Sequence, residues 1–125
     1  MRLPTGTDRI AVAAKSESGG LCTVTVQRDP LGEHLLRYEG GETAVAELTP
    51  EVVELLVVAL SLRGRSAISA RSPHGGACTL LVIGHQDGRT SLYFHACTAT
   101  GAVLAPAAIG KLRAALESLT KRRHG

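Results

Sequence analysis

Gly19-Gly20-Leu21-Cys22-Thr23 and Gly75-Gly76-Ala77-Cys78-Thr79 are the same pentapeptide apart from one apolar residue, and they lie 56 positions apart. With that offset, residues 9–63 align with residues 65–119 without a gap, and 17 of the 55 aligned positions are identical. Self-similarity along the whole length indicates a tandem duplication. The chain is therefore predicted to be a single domain over residues 1–125, built from two internal repeats, 9–63 and 65–119.

Each repeat is predicted to contain four β-strands followed by one α-helix. In the first copy, alternating polar and apolar residues indicate strands over residues 9–15, 21–28, 33–39 and 42–48. Thr49, Pro50 and Glu51 are typical of a helix start, and Gly64 is expected to end that helix after residue 62 or 63. The second copy repeats the order, with strands over 65–71, 77–83, 89–95 and 99–104 and a helix from residue 106 to about 122.

The predicted fold class is α+β, a tandem ββββα repeat with two antiparallel sheets and two helices around one core. One repeat alone would leave a sheet face and an apolar helix stripe exposed to water, so the two copies must bury these surfaces against each other. The same alternation directs Cys22 and Cys78 into the core as small apolar side chains. The glycine pairs before them and the segments 29–32 and 86–88 are expected to be turns.

Composition indicates a cytoplasmic protein. Three cysteines, an odd number without metal-binding spacing, fit reduced thiols. Residues 1–8 are too polar for a signal peptide, and no apolar run approaches the roughly 20 residues of a spanning helix. A hydrophobic content of 44% and a mean hydropathy of +0.12 favour a globular chain over a disordered one.

Charge is unevenly distributed between the two halves. Residues 1–63 contain six basic and nine acidic side chains, net −3, whereas residues 64–125 contain eight and two, net +6, which together give the overall +3. The basic half could attract an anionic partner or the acidic half of another subunit. An ordinary solvated surface would also account for this distribution.

Basic residues recur at outward-facing strand positions. The set predicted to bind nucleic acid comprises Arg9, Lys15, Arg37, Arg65, Arg71, Arg89 and Tyr93. Cationic side chains on a sheet can contact phosphates, and Tyr93 offers the only outward ring of the three Tyr and Phe residues for stacking on a base. Against this interpretation stand the scarcity of aromatic residues and the carboxylates of Glu33, Glu39 and Glu47 in the first copy. Solvated sheet residues without a ligand are the alternative.

The two predicted helices share one apolar stripe, which is expected to pack on the sheets, but they differ elsewhere. The first helix carries additional apolar side chains, and four of them are predicted to form a subunit interface: Val52, Leu55, Val58 and Leu62. A helix that is apolar nearly all round is usually buried all round, which a domain of this size can hardly achieve alone. The chain is therefore expected to be a homo-oligomer through helix 50–63.

No motif in the chain indicates catalysis. There is neither a P-loop nor a G-x-G-x-x-G element, and no motif supplies an orienting carboxylate to a Cys and His pair. His95 and Cys97 would share a strand face, but a closed metal site normally has four ligands. The protein is expected to be non-enzymatic, with no catalytic residue, metal or cofactor.

The element order ββββα-ββββα, from Arg9 to Arg122, resembles the PUR-repeat proteins and the Whirly-type nucleic-acid-binding proteins. This resemblance implies binding of single-stranded DNA or RNA and self-association, although the PUR pattern has more outward aromatic residues. The same order, together with the stretch Ala-Ala-Leu-Glu-Ser-Leu-Thr-Lys-Arg at 114–122, is similar to the actinobacterial SsgA-like sporulation and division proteins. That similarity implies the alternative function, an oligomeric protein-interaction scaffold that binds no nucleic acid.

Overall fold

The computed structural model describes residues 9–28, 33–73, 75–95 and 99–124. Its strands and helices are β1 Arg9–Ser16, β2 Leu21–Arg28, β3 His34–Glu39, β4 Thr43–Glu47, α1 Pro50–Ser61, β5 Gly64–Arg71, β6 Ala77–Gly84, β7 Thr90–His95, β8 Ala99–Leu104 and α2 Pro106–His124. The ββββα order predicted for each repeat is present, and every boundary lies within two residues of the predicted one. The turn predicted at residues 29–32 lies outside the described residues.

All eight strands form a single antiparallel sheet in the order β4-β3-β2-β1-β8-β7-β6-β5. The prediction of two separate sheets, one for each repeat, is wrong. The repeats are joined because β1 pairs with β8, through Lys15 with Val103 and Ser16 with Ala102. Each hairpin within a repeat has five to eight such residue pairs. The sheet is therefore continuous, with its shortest pairing at the boundary between the repeats.

The sheet curls until its two terminal strands approach each other. β4 is in contact with β5 and with β7, yet the described residues contain no ladder between β4 and β5. In the duplication, β4 and β5 correspond to β8 and β1, so this open β4/β5 seam is the counterpart of the β1–β8 junction. The result is a nearly closed, barrel-like sheet with one seam that is not hydrogen bonded.

One face of the sheet forms the core together with both helices. The strand residues of the main apolar cluster all carry even numbers, because every cross-strand pair joins residues of the same parity. Leu36 and Leu92 are fully buried there, and the rings of Tyr38 and Phe94 meet with their centroids 6.1 Å apart. The two helices pack against each other and contribute to the same cluster. Odd-numbered strand residues therefore form the opposite side of the sheet, the outer face.

The two described cysteines lie in this core. Cys22 and Cys78 are buried free thiols at equivalent positions of β2 and β6, which confirms the prediction from strand alternation. Burial raises the pKa of both thiols above its ordinary value. Their environment makes them packing residues rather than nucleophiles.

The first helix begins and ends at residues that satisfy its free backbone groups. Thr49 caps α1, because its Oγ1 accepts a hydrogen bond of 3.2 Å from the backbone N–H of Val52, and Pro50 occupies the first turn. At the other end the N–H of Leu62 donates to the carbonyl oxygen of Ala59. Gly64, with a φ of +99°, then turns the chain into β5. Neither helix is both long enough and apolar enough to cross a membrane over its described residues.

Candidate nucleic-acid interface

The outer face of the second repeat is basic and carries no carboxylate at its described strand positions. These odd-numbered residues are Arg65, Ala67, Ser69, Arg71, Ala77, Thr79, Leu81, Ile83, Ser91, Tyr93, His95, Gly101 and Val103. Arg65 and Arg71 lie exposed near the two ends of β5, and neither forms an ion pair with another described residue. Both guanidinium groups are thus available to an anionic ligand.

The equivalent surface of the first repeat is largely neutralised. Nη2 of Arg9 lies 3.5 Å from Oε1 of Glu39, and Nε of Arg37 lies 3.0 Å from Oε2 of the same carboxylate. These ion pairs are exposed and contribute little to stability. They do place one carboxylate between two guanidinium groups. Arg9 and Arg37, both predicted to bind nucleic acid, are therefore less available to phosphate than Arg65 and Arg71.

Lys15 belongs to the second repeat's surface although it lies in the first repeat. Lys15 is the cross-strand partner of Val103 on β8. The line of cross-strand partners continues through Ser91 on β7 and Ile83 on β6 to Arg65 on β5. Four strand spacings of about 4.8 Å put Lys15 and Arg65 roughly 19 Å apart along the sheet. Arg71 lies about 20 Å from Arg65 along β5. Together with Tyr93 and His95, which lie on β7 between these cations, they form what we call the cationic face.

The two rings of the cationic face replace an ion pair of the first repeat. With the 56-residue offset, Tyr93 aligns with Arg37 and His95 aligns with Glu39. The Tyr93 and His95 rings meet edge to face, with centroids 6.1 Å apart and planes at 88°. Where the first copy has two opposite charges, the second therefore has a pair of rings. This exchange removes the counterpart of the Glu39 carboxylate from β7 and adds aromatic area.

Tyr93 is half-buried and held from two sides. Its ring takes the space next to Gly101, its cross-strand partner, where a Cβ would stand 2.7 Å from Cε1 of the ring. Burial is the main cause that raises the pKa of the Tyr93 hydroxyl, and a hydrogen bond with Glu17 adds to it. The hydroxyl therefore stays neutral at physiological pH. The ring is thus positioned by β8 and by the β1–β2 turn.

A cleft of about 540 Å³ opens at the β1–β8 junction. Its walls are mainly apolar and include Val103 and Leu21. Leu21 is 85% exposed. Lys15 and Arg89 line the same cleft, and of these two only Lys15 has no ion-pair partner among the described residues. Apolar walls beside the ammonium group of Lys15 suit a flat ring that carries an anionic group.

Arg89 lies in a turn rather than on the strand where it was predicted. β7 begins at Thr90, so Arg89 directly precedes it. Nε of Arg89 donates to Oδ2 of Asp87 at 2.8 Å, and its backbone N–H donates to Oδ1 at 3.1 Å. The hydrogen bonds from Arg89 hold the pKa of Asp87 below its ordinary value. This partner offsets the charge of Arg89 and fixes its side chain near the junction cleft.

A second cleft, of about 470 Å³, borders the cationic face with the opposite charge. Glu17 and Glu42 line it together with Tyr38 and Gly101. Gly101 is also the cross-strand neighbour of Tyr93, so the acidic cleft lies directly beside the Tyr93 ring. Two carboxylates would repel a phosphate. They therefore limit the surface that an anionic ligand can follow.

The residues predicted to form a subunit interface divide into two groups. Val52 is only 5% exposed and packs in the chain's own core, so it cannot contribute an exposed contact. Leu55, Val58 and Leu62 are more than half exposed, at 53%, 56% and 53%. Three of the four predicted residues thus form one apolar stripe on the surface of α1 and its C-cap.

Two further kinds of site, a metal centre and an activated nucleophile, concern His, Cys, Asp, Glu and Ser side chains of the described residues. They contain no group of three or more His, Cys, Asp or Glu side chains that could hold a metal ion. Nε2 of His85 lies 2.8 Å from Oγ of Ser91, but Ser91 is only 4% exposed and its hydroxyl is not accessible as a nucleophile. Cys97, considered with His95 as a possible ligand, lies outside the described part of the chain.

Sequence reasoning missed two features that shape this surface, the double ion pair of Glu39 and the small residue at 101. Both leave a signal in the sequence. Arg37 and Glu39 are two residues apart on one strand and must share a face. Gly101 aligns with Val45 of the first copy, so the duplication marks it as a position where space was needed.

Comparisons with protein-family models, with curated proteins and with solved structures give no match to this chain. The resemblance of the element order to PUR-repeat, Whirly-type and SsgA-like proteins therefore stays a prediction.

Proposed function

We propose that this protein binds single-stranded DNA or RNA, without catalysing a reaction, through the cationic face of its second repeat. The observation that carries the proposal is the exchange of the Arg37 and Glu39 ion pair for the rings of Tyr93 and His95. In the first repeat, Glu39 also pairs with Arg9, the counterpart of Arg65. Because His95 replaces that glutamate, Arg65 has no carboxylate partner there and lies on the same surface as the two rings.

The cations of this face suit a phosphate backbone. Lys15, Arg65 and Arg71 are exposed, and none forms an ion pair with another described residue. Each contact between such a side chain and a phosphate releases a condensed counterion, which favours binding and makes it sensitive to salt. Of the eight basic residues in the second half of the chain, Arg65, Arg71 and Arg89 lie in or next to its strands and the other five lie in α2, so the net +6 is only partly carried by this face.

The rings favour a single strand over a duplex. A base can stack on Tyr93 or His95 only when it is free of its own neighbours, which is the state of bases in single strands and loops. The apolar junction cleft beside Lys15 offers a second place for an unstacked base. Hydroxyl groups of Ser69 and Thr79 on the same face can bond to sugars or base edges.

An oligomeric protein-interaction scaffold that binds no nucleic acid is the second candidate. The exposed Leu55, Val58 and Leu62 favour it, because the chain's own core does not use these side chains. For both candidates, the proposed location is the cytoplasm.

Fluorescence anisotropy with labelled single-stranded DNA and RNA of mixed sequence tests the proposal. We expect binding at low salt that weakens steeply as salt is added. Replacing Arg65 and Arg71 by glutamine should reduce the affinity for all sequences, and the salt slope should fall by about 0.7 for each phosphate that the variant no longer neutralises. Replacing Tyr93 by leucine should weaken binding by about 1–3 kcal/mol, whereas Tyr93→Phe keeps the ring and should bind nearly normally.

The duplication supplies a control with the same change of net charge. Arg9→Gln combined with Arg37→Gln also removes two guanidinium groups, but from the face where both pair with Glu39. This variant should bind almost as the unmodified protein does. Equal decreases in affinity in the two double variants would mean that only net charge matters and would contradict a localised site. No binding at low salt would favour the scaffold.

A further inference from the structure

The apolar stripe on the first helix is not required by the fold. At the equivalent positions of α2, which packs on the same core, Leu55, Val58 and Leu62 are replaced by Lys111, Ala114 and Ser118. The buried stripe, in contrast, is nearly the same in both helices, with Leu56 and Leu112 fully buried. The second helix thus performs the structural role without large apolar side chains at these three positions. The stripe on α1 therefore has a use outside this chain's core.

The two ends of α1 carry opposite charges. Glu51 and Glu54 are exposed in the first half of the helix, and Arg63 is exposed just beyond its last residue. None of the three forms an ion pair with another described residue. An acidic beginning, an apolar middle and a basic end complement a second copy of themselves only when the two helices run in opposite directions.

We propose that the protein forms a two-fold symmetric dimer in which α1 packs antiparallel against α1 of a second copy. Val58 lies near the symmetry axis, because it is almost midway between Leu55 and Leu62. Leu55 of each copy then contacts Leu62 of the partner subunit. Glu51 and Glu54 of each copy lie beside Arg63 of the partner subunit, and the antiparallel helix dipoles also attract each other.

This interface leaves the cationic face free. The helices pack on the even-numbered side of the sheet, whereas the cationic face consists of odd-numbered residues. The dimer rests on α1 alone, so it can exist whether or not the protein binds nucleic acid. If both proposals hold, one dimer presents two nucleic-acid sites and a strand long enough to reach both gains avidity.

Light scattering coupled to size-exclusion chromatography gives the first test. The unmodified protein should have about twice the mass of one 13.0 kDa chain. Val58→Glu places two like charges near the axis and should convert the dimer to monomer. Ala114→Glu changes the equivalent exposed position of α2 and should leave the dimer intact. A monomeric unmodified protein, or a dimer that survives Val58→Glu in a folded chain, would overturn the proposal.

Cross-linking tests the direction of the helices. Val58→Cys should form a disulfide between two copies under mild oxidation, because the two residues meet near the axis. Glu51→Cys should not, because the antiparallel arrangement puts the two copies of residue 51 at opposite ends of the interface. Peptide mapping then shows whether residue 58 is joined to itself. Efficient cross-linking at both positions would indicate parallel helices and would overturn the antiparallel interface.

Charge reversal provides a variant that does not disturb the apolar contact. Glu54→Arg and Arg63→Glu should each weaken the dimer, measured by sedimentation at increasing dilution. Combined in one chain, they should restore it, because each new arginine again faces a glutamate of the partner subunit. A double variant as weak as the two single changes together would show that these residues do not meet.

Discussion

The ring of Tyr93 occupies the space that a side chain at residue 101 would need. A Cβ added to Gly101 would overlap Cδ1 and Cε1 of that ring, and the two residues are cross-strand partners on β7 and β8. The absence of a side chain at 101 therefore decides where the principal aromatic group of the outer face lies.

Replacing Gly101 by alanine should displace the Tyr93 ring. We expect the free energy of unfolding to fall by about 1 kcal/mol, since a side chain at the surface can move aside. Proton NMR should show that the ring no longer meets His95 edge to face, and oligonucleotide affinity should fall as it does for Tyr93→Leu. Gly41→Ala is the matched control, because a Cβ there meets nothing within 4 Å. An unchanged ring geometry in Gly101→Ala would contradict this account.

Gly84 should tolerate a side chain far less well. A Cβ at this position would overlap the carbonyl oxygen of Leu62 and lie 3.0 Å from Cα of Arg63, and backbone atoms cannot rotate away. Gly84→Ala should therefore lower the free energy of unfolding by about 1–3 kcal/mol, measured by urea denaturation. Gly110→Ala, in an open and exposed site of α2, should instead raise it by up to about 1 kcal/mol. Equal effects of the two changes would be inconsistent with the crowding at Gly84.

Thr49→Ala should destabilise α1 by removing its cap. The hydroxyl accepts the hydrogen bond of 3.2 Å from Val52, and its removal leaves a backbone donor unpaired at the helix start. We expect the free energy of unfolding to fall by about 1 kcal/mol. Thr49→Ser keeps the acceptor, and its free energy of unfolding should fall by much less. If both variants were equally stable in thermal and chemical unfolding, the cap would not contribute.

Stability should decline in mildly alkaline solution because of the buried thiols. Burial raises the pKa of Cys22 and Cys78 above the ordinary 9.0, so the folded chain keeps protons that the unfolded chain releases. The stabilisation is complete below about pH 9 and is lost as the pH rises toward the folded-state values. Urea denaturation at several pH values should show this decline. A variant with both cysteines replaced by alanine should be less stable at neutral pH but should lose less stability above about pH 9.

The order of elements could be predicted because hairpins are local. Neighbouring strands are joined by short turns, and alternation within each strand specified which side faces the core. The joining of the repeats could not be predicted in the same way. Lys15 and Val103 are 88 residues apart in the chain, and β1 meets β8 through only two residue pairs. So short and so distant a pairing leaves no pattern in the sequence, and two sheets were expected instead of one.

The candidate surface was predicted in part. Alternation correctly placed Arg65 and Arg71 on the outer side, but it could not show that Arg9 and Arg37 have a partner in Glu39. Val52 was assigned to the interface because the second helix has the smaller Ala108 at that position. Both positions face the core, however, with Val52 buried and Ala108 half-buried. A difference in size between the copies therefore reflected packing at this position.

The open β4/β5 seam also bears on how the protein avoids aggregation. Terminal strands of a sheet expose unpaired backbone groups that can recruit strands of other molecules. Here the two terminal strands are in contact with each other, β4 is only five residues long, and β5 has arginine near both ends. A foreign strand would have to separate β4 from β5 before it could pair with either one. The curl that brings the two repeats together thus also hinders the growth of fibrils.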